Sequence, residues 1–179
     1  MADRTPWRKP GDKVDSIFPM DEMLRRFRIG ASKPARFERG APDRVSLARG
    51  FLAALSRQDT AALGNLLVTR GEFAWLVFPD HLYSRAPYEL DPETFWLQIQ
   101  AQTSEGLSQL LRRRGGLPMR FLSLECRTDL LAGKGPEVRF WAPCTVGYSV
   151  SDRVRNEQLF GSIVEYRGTA KFLGYRPKF

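Results

Sequence analysis

Residues 159–179, LFGSIVEYRGTAKFLGYRPKF, contain two apolar-rich runs joined by Arg167-Gly168 and finish on aromatics. A run of this kind, a two-residue turn with Gly in second place, and another such run reads as a β-hairpin. The first half of the chain reads as helix, so a chain that closes on sheet is expected to be an α+β domain rather than an alternating α/β one.

Working back from that hairpin, segments 120–126, 137–151, 157–166 and 169–176 read as four strands. In the second, Val138, Phe140, Ala142, Cys144, Val146, Tyr148 and Val150 alternate, which predicts one inward face. The connections Gly133-Lys134-Gly135-Pro136, Asp152-Arg153-Val154-Arg155 and Arg167-Gly168 are short, which predicts a meander of antiparallel neighbours in simple order. If the first hairpin turns near Gly135, partner residues have numbers summing to about 270, and Cys126 with Cys144 meets that condition. Opposed residues have Cβ atoms ~4.5 to 5.5 Å apart, near what a disulfide needs. A Cys126–Cys144 bridge is therefore expected, with two buried thiols as the other outcome. A bridge would place the protein in an oxidising, extracytoplasmic compartment, periplasmic or secreted, with its leader removed; without it the cytoplasm stays open.

Upstream, capping residues punctuate the helices. Met20, Met23, Leu24 and Phe27 recur at helical spacing between an acidic start (Asp21, Glu22) and a basic end (Arg25, Arg26, Arg28). Asp43 or Ser46 can cap a helix over 44–57 that turns Leu47, Phe51 and Leu55 to one side, and Asp59 a shorter one over 60–67. Thr69 and Glu72 have capping-box spacing ahead of Phe73, Trp75, Leu76 and Val77. That predicts a helix over 70–78 stopped by Pro79, although the apolar run 73–78 reads equally as a strand. Asp91-Pro92-Glu93 starts the longest helix, to about Arg113, with Phe95, Trp96, Ile99, Thr103, Leu107, Leu110 and Leu111 inward. The triplet Arg112-Arg113-Arg114 before Gly115-Gly116 reads as the cationic end of that helix.

A chain of 179 residues and 20.4 kDa that is 42% hydrophobic fits one domain over 20–179. Residues 1–19, with Pro6, Pro10, Gly11 and Pro19 among charges, read as an extended arm. The longest apolar run, 73–78, is far short of the roughly 20 residues of a membrane span, and no secretory signal is legible at the N-terminus. The net charge of +8 and pI near 9.9 would suit a polyanion, yet the charge is spread out: residues 1–44 hold eleven Lys or Arg against seven Asp or Glu, about half the excess. Nucleic-acid binding through the basic surface is thus a lesser alternative.

The order of elements, with RGFLAALSRQDTAALGNLL (49–67) before the long helix and GSIVEYRGTAKFLGY (161–175) at the end, resembles the NTF2-like superfamily, and within it uncharacterised bacterial secreted or lipoprotein-type members. The resemblance implies a bent sheet folded around a long helix as a cone, and sheets that can pair as a homodimer. It departs over 68–90, where many members have a first β-hairpin. Enzymes of that superfamily place an Asp or His base and a Tyr donor in the cone; Glu125, Tyr148 and Glu165 on strands, with Tyr83 and Tyr88 at the mouth, are the analogues. Alternation turns Glu125 and Glu165 to solvent, leaving no convincing buried acid.

No phosphate-binding loop, H-E-x-x-H or G-x-S-x-G motif is present, and two cysteines with one distant histidine do not make a standard zinc set, so no cofactor is expected. Asp80-His81 could form a base pair, though adjacent loop residues usually diverge. Trp75, Phe78, Tyr83, Tyr88, Phe95 and Trp96 cluster within 22 residues. They could line an apolar ligand pocket at the cone mouth or fill the core. The expectation is a noncatalytic module binding a small apolar ligand or a protein partner; the alternative is a cofactor-independent lyase or isomerase using a pocket carboxylate or His81 with a tyrosine. A solvent-connected cavity holding an inward carboxylate or His81 would favour the enzyme, a filled cone the interaction module.

Overall fold

The computed structural model describes residues 18–128 and 137–179. The expected arm up to residue 17 and the loop Gly133-Lys134-Gly135-Pro136 lie outside the described residues. The rest is α+β, with five helices and an open antiparallel sheet.

Helix α1, Met20–Phe27, buries Met23 and Phe27. Its Glu22 takes Arg25 and Arg26 Nε at 2.7 Å each, and those hydrogen bonds hold the carboxyl down to about 2. Asp43 caps α2, Arg44–Ser56, by accepting from the Ser46 amide at 2.6 Å; Asp59 caps α3, Thr60–Asn65, through Ala62 N at 2.9 Å. The Thr69/Glu72 capping box forms and opens α4, Arg70–Glu72. The chain then continues as a π-helical turn, Phe73–Val77, and a 3₁₀ turn, Phe78–Asp80, so the apolar run is helical, not a strand. Asp91 caps α5, Pro92–Arg114, from Thr94 N at 2.8 Å. The Arg triplet does close this helix, and Arg114 further binds Glu157 at 2.6 Å.

Strand β2, Val138–Val150, is the spine of the sheet. One edge pairs with β1, Arg120–Thr128, in the predicted register: Cys126 faces Cys144, and the two form a disulfide with Cα atoms 4.1 Å apart. The other edge is shared. β4, Ile163–Tyr166, pairs with Val138 to Trp141, whereas β3, Arg153–Glu157, pairs with Val146 to Val150. β5, Thr169–Phe172, completes the order β1-β2-β4-β5, with β3 beside β2.

The simple four-strand meander thus needs two corrections. First, 153–155 are strand rather than connection. The turn is Ser151-Asp152, both residues at positive φ (46° and 65°), the same handedness as Arg167 and Gly168 (46° and 77°). That primed geometry matches strand twist and selects a two-residue hairpin even without glycine. Second, the single strand expected over 157–166 is broken between Glu157 and Ile163.

The even-numbered alternation of β2 does not lie on one face either. Val138 and Phe140 pack with Phe27, Phe73, Val164 and Tyr166, while Cys144, Val146 and Tyr148 pack with Leu47, Phe51, Ile163 and Phe172. Ile163 and Val164 are neighbours on a strand, so these are opposite faces of the sheet. The inversion has a visible cause. Cys126 faces Cys144 and Thr128 faces Trp141, so β2 spends three steps where β1 spends two, and one extra residue reverses every side chain beyond it. The extra residue falls at Ala142-Pro143, where Pro143 has no N–H to offer a ladder.

Both faces of the β4–β5 end are consequently buried, and the face under α4 holds a charge. Lys171, directly opposite Val164, is 2% exposed and reaches both oxygens of Glu72 (1% exposed) at 3.1 and 3.0 Å. The carboxylate also accepts from Glu38 N at 2.6 Å and Thr69 N at 2.7 Å. Glu72 is the buried acid that the strand candidates did not provide, and it is fully partnered.

Candidate functional site

Where β2 inverts, the ladder on its β3/β4 edge is open, and a cavity of about 490 Å³ occupies the junction of the two cores. Phe95, Ile99 and Thr103 from α5, Pro143 from β2, and Phe160 and Leu173 from the C-terminal segments form its apolar wall. The exposed Gln102, Arg176 and Lys178 also line it, so it communicates with solvent.

The wall is built by tight backbone contacts. Gly161 N bonds Gly174 O at 2.9 Å, Leu173 N bonds Ser162 O at 2.9 Å, and Lys178 N bonds Gln158 O at 2.7 Å, carrying the chain past β5 alongside the segment that follows β3. Tyr175 donates its hydroxyl to Leu63 O at 2.8 Å. Helix α5 approaches this strap at Gly106, where a Cβ would collide with the Tyr175 carbonyl. Glycine is what lets helix and strap meet.

His81 is 1% exposed and lines the cavity. Its ring lies 5.0 Å from those of Tyr83 and Phe95 and 5.2 Å from Phe140. Nδ1 accepts from the Tyr83 amide at 3.1 Å. Burial, aided by the charge of Arg85, pushes the imidazole down to about 4, so it is neutral near pH 7. A neutral imidazole whose Nδ1 accepts carries its proton on Nε2. Among the described residues no acceptor takes that proton.

The anticipated residues are distributed as follows. Of the six aromatics, Tyr83 and Phe95 line the cavity; Phe78 is core, Trp75 and Trp96 pack against that core, and Tyr88 is 54% exposed, edge-on to Tyr83. Trp75 donates Nε1 to Ala31 O at 2.9 Å beneath the Arg28 guanidinium. Asp80 is half-buried, and burial raises its carboxyl; the bond to His81 Nδ1 comes from Tyr83, not from Asp80. Tyr148 donates to Glu157 at 2.6 Å, and burial together with that bond pushes its phenol up to about 12. Burial would raise Glu157, but the bonds from Arg114 and Tyr148 prevail and lower it. Glu165 accepts from Trp141 Nε1 at 2.6 Å and pairs with Arg44 at 3.3 Å; Glu125 is exposed. Cys144 lines the cavity from the disulfide.

Sequence reasoning did not reach Gln158, Ser162, Arg176 and Lys178. A signal for Gln158 and Ser162 was present, since Pro143 inside an alternating run and Gly161-Ser162 inside another both mark broken pairing; Arg176 and Lys178 had none.

Among the described residues no group of three His, Cys, Asp or Glu lies close enough to hold a metal ion, and no helix is long and apolar enough to cross a membrane. No protein-family model, no curated protein and no solved structure matches this chain.

Proposed function

We propose that this protein is a noncatalytic binding module that takes a small, largely apolar molecule into the cavity at the sheet break, on a scaffold of NTF2-like character. The observation that carries the reading is the cavity itself. At about 490 Å³ it falls in the size range of small-molecule sites, roughly 300 to 1,000 Å³. It has an apolar wall and a few polar groups, as such sites do. The long helix over an antiparallel sheet that ends in a hairpin supports the scaffold reading. The Cys126–Cys144 disulfide is consistent with an extracytoplasmic location.

The lyase or isomerase reading draws on His81 and Tyr83 lining the same cavity. The tautomer argues against it: with Nδ1 engaged by Tyr83 N, the imidazole offers a proton and not a lone pair. Among the described residues no carboxylate lines the cavity to replace it as base.

The test is a ligand-detected NMR screen of small apolar compounds against the full chain and against Gln102→Trp, which closes the mouth from an exposed helix position. Binding that the variant loses while keeping its melting temperature supports the proposal. Absence of binding, or binding the variant leaves intact, overturns it.

A further inference from the structure

Among the described residues, every ionisable side chain that lines the cavity is either a base or a phenol: His81, Arg176, Lys178, Tyr83 and Tyr175. No Asp or Glu among the described residues lines it. Elsewhere several cations close on an acid: Arg44 pairs with Glu165, Arg114 with Glu157, Arg167 with Glu137 and Lys171 with Glu72. Among the described residues Arg176 and Lys178 have no acidic partner. Inside, the Nε2 proton of His81, with no acceptor among the described residues, is one more donor on the cavity wall. The neutral hydrogen-bonding side chains, Gln102, Thr103, Gln158 and Ser162, can donate or accept and so do not decide the sign.

Two cations with no acid beside them, at the rim of an apolar wall, fit one chemical class. From this we propose that the cavity binds a small organic monoanion, a carboxylate on an apolar body, with the carboxylate at Arg176 and Lys178 and the body against Phe95, Ile99 and Leu173. The proposal rests on the ligand-binding reading above and adds the sign of the ligand's charge. Arg176 and Lys178 stand two apart along the strap at the open end of the cavity, so the charged group stays partly hydrated while the chain goes inward. Such an arrangement avoids the desolvation cost of burying an ion.

The experiment compares decanoate, decan-1-ol and decylammonium, each below its micellar concentration, on the full chain by methyl NMR at Ile99 and Leu173. Decanoate is expected to bind roughly tenfold tighter than decan-1-ol, about 1.4 kcal/mol, with decylammonium weakest. The preference should shrink with added salt. In the double variant Arg176→Gln/Lys178→Gln, both at exposed positions, acid and alcohol should bind alike. Equal binding of acid and alcohol to the native chain, or a preference for decylammonium, overturns the charge assignment and leaves the ligand-binding reading standing. Binding of none of the three, or shifts that bypass Ile99 and Leu173, overturns both.

Discussion

Two of the places where this molecule buries charged or ionisable groups are finished differently. Beneath α4, Glu72 and Lys171 close on each other, and the remaining carboxylate capacity goes to the amides of Glu38 and Thr69. At the sheet break, His81 satisfies only Nδ1, and the cations of the rim have no acid among the described residues. A buried ion pair whose every valence is met within the chain is architecture; cations at a cavity rim with no acid beside them leave room for a molecule that supplies one. The contrast separates a polar cluster that holds the fold from one that gives it something to do.

The closed site should be the more fragile to single substitution. Lys171→Met leaves Glu72 as an uncompensated buried charge and is expected to cost about 3 to 5 kcal/mol in urea unfolding. The paired change Glu72→Leu/Lys171→Met should recover most of that, because replacing both partners removes both desolvation penalties. A single variant as stable as the native chain would erase the distinction drawn here.

His81 sharpens the other side through pH. Its folded value of about 4 lies below the ordinary 6.5, so between these the unfolded chain binds the proton that the folded chain refuses. The stabilisation from keeping it neutral is complete above about pH 6.5 and is lost as the pH falls to about 4, a swing of roughly 3 kcal/mol. Relative to the native chain, His81→Phe should show a flatter profile across that window in denaturant unfolding. Parallel profiles would mean that the imidazole is not held neutral.

How much of this could be read in advance depends on range. Caps at Asp43, Asp59, Asp91 and the Thr69/Glu72 box are contained within four residues, and all four form. The disulfide followed from counting along one hairpin. The Ser151-Asp152 turn was missed because its conformation, unlike that of Arg167-Gly168, is not advertised by glycine. The inversion of β2 was missed because even-numbered residues remain apolar on either side of Pro143, so periodicity alone cannot show that the face has changed. Glu72 and Lys171 are 99 residues apart, and no local pattern links them. The cavity wall joins α5, a strand break and the C-terminal strap, so Tyr83 and Phe95 were reachable from their aromatic cluster, while Arg176 and Lys178 depended on tertiary placement.

The bridge between β1 and β2 lies beside the open site and holds the strand where it inverts. Cys126 and Cys144 are 18 residues apart, and Cys126→Ser/Cys144→Ser is expected to lose about 2 to 3 kcal/mol. Non-reducing mass spectrometry of the native chain should show a loss of two protons; the full reduced mass would contradict the bridge. At the small end, Arg176→Gln and Lys178→Gln should change stability by no more than about 0.5 kcal/mol, as exposed positions do. A larger loss on unfolding would move those cations from ligand recognition into the framework.

The most direct test of the open site is a crystal structure with decanoate present. The account predicts a chain between Phe95, Ile99 and Leu173 with its carboxylate at Arg176 and Lys178. A cavity holding only water at saturating decanoate would contradict it.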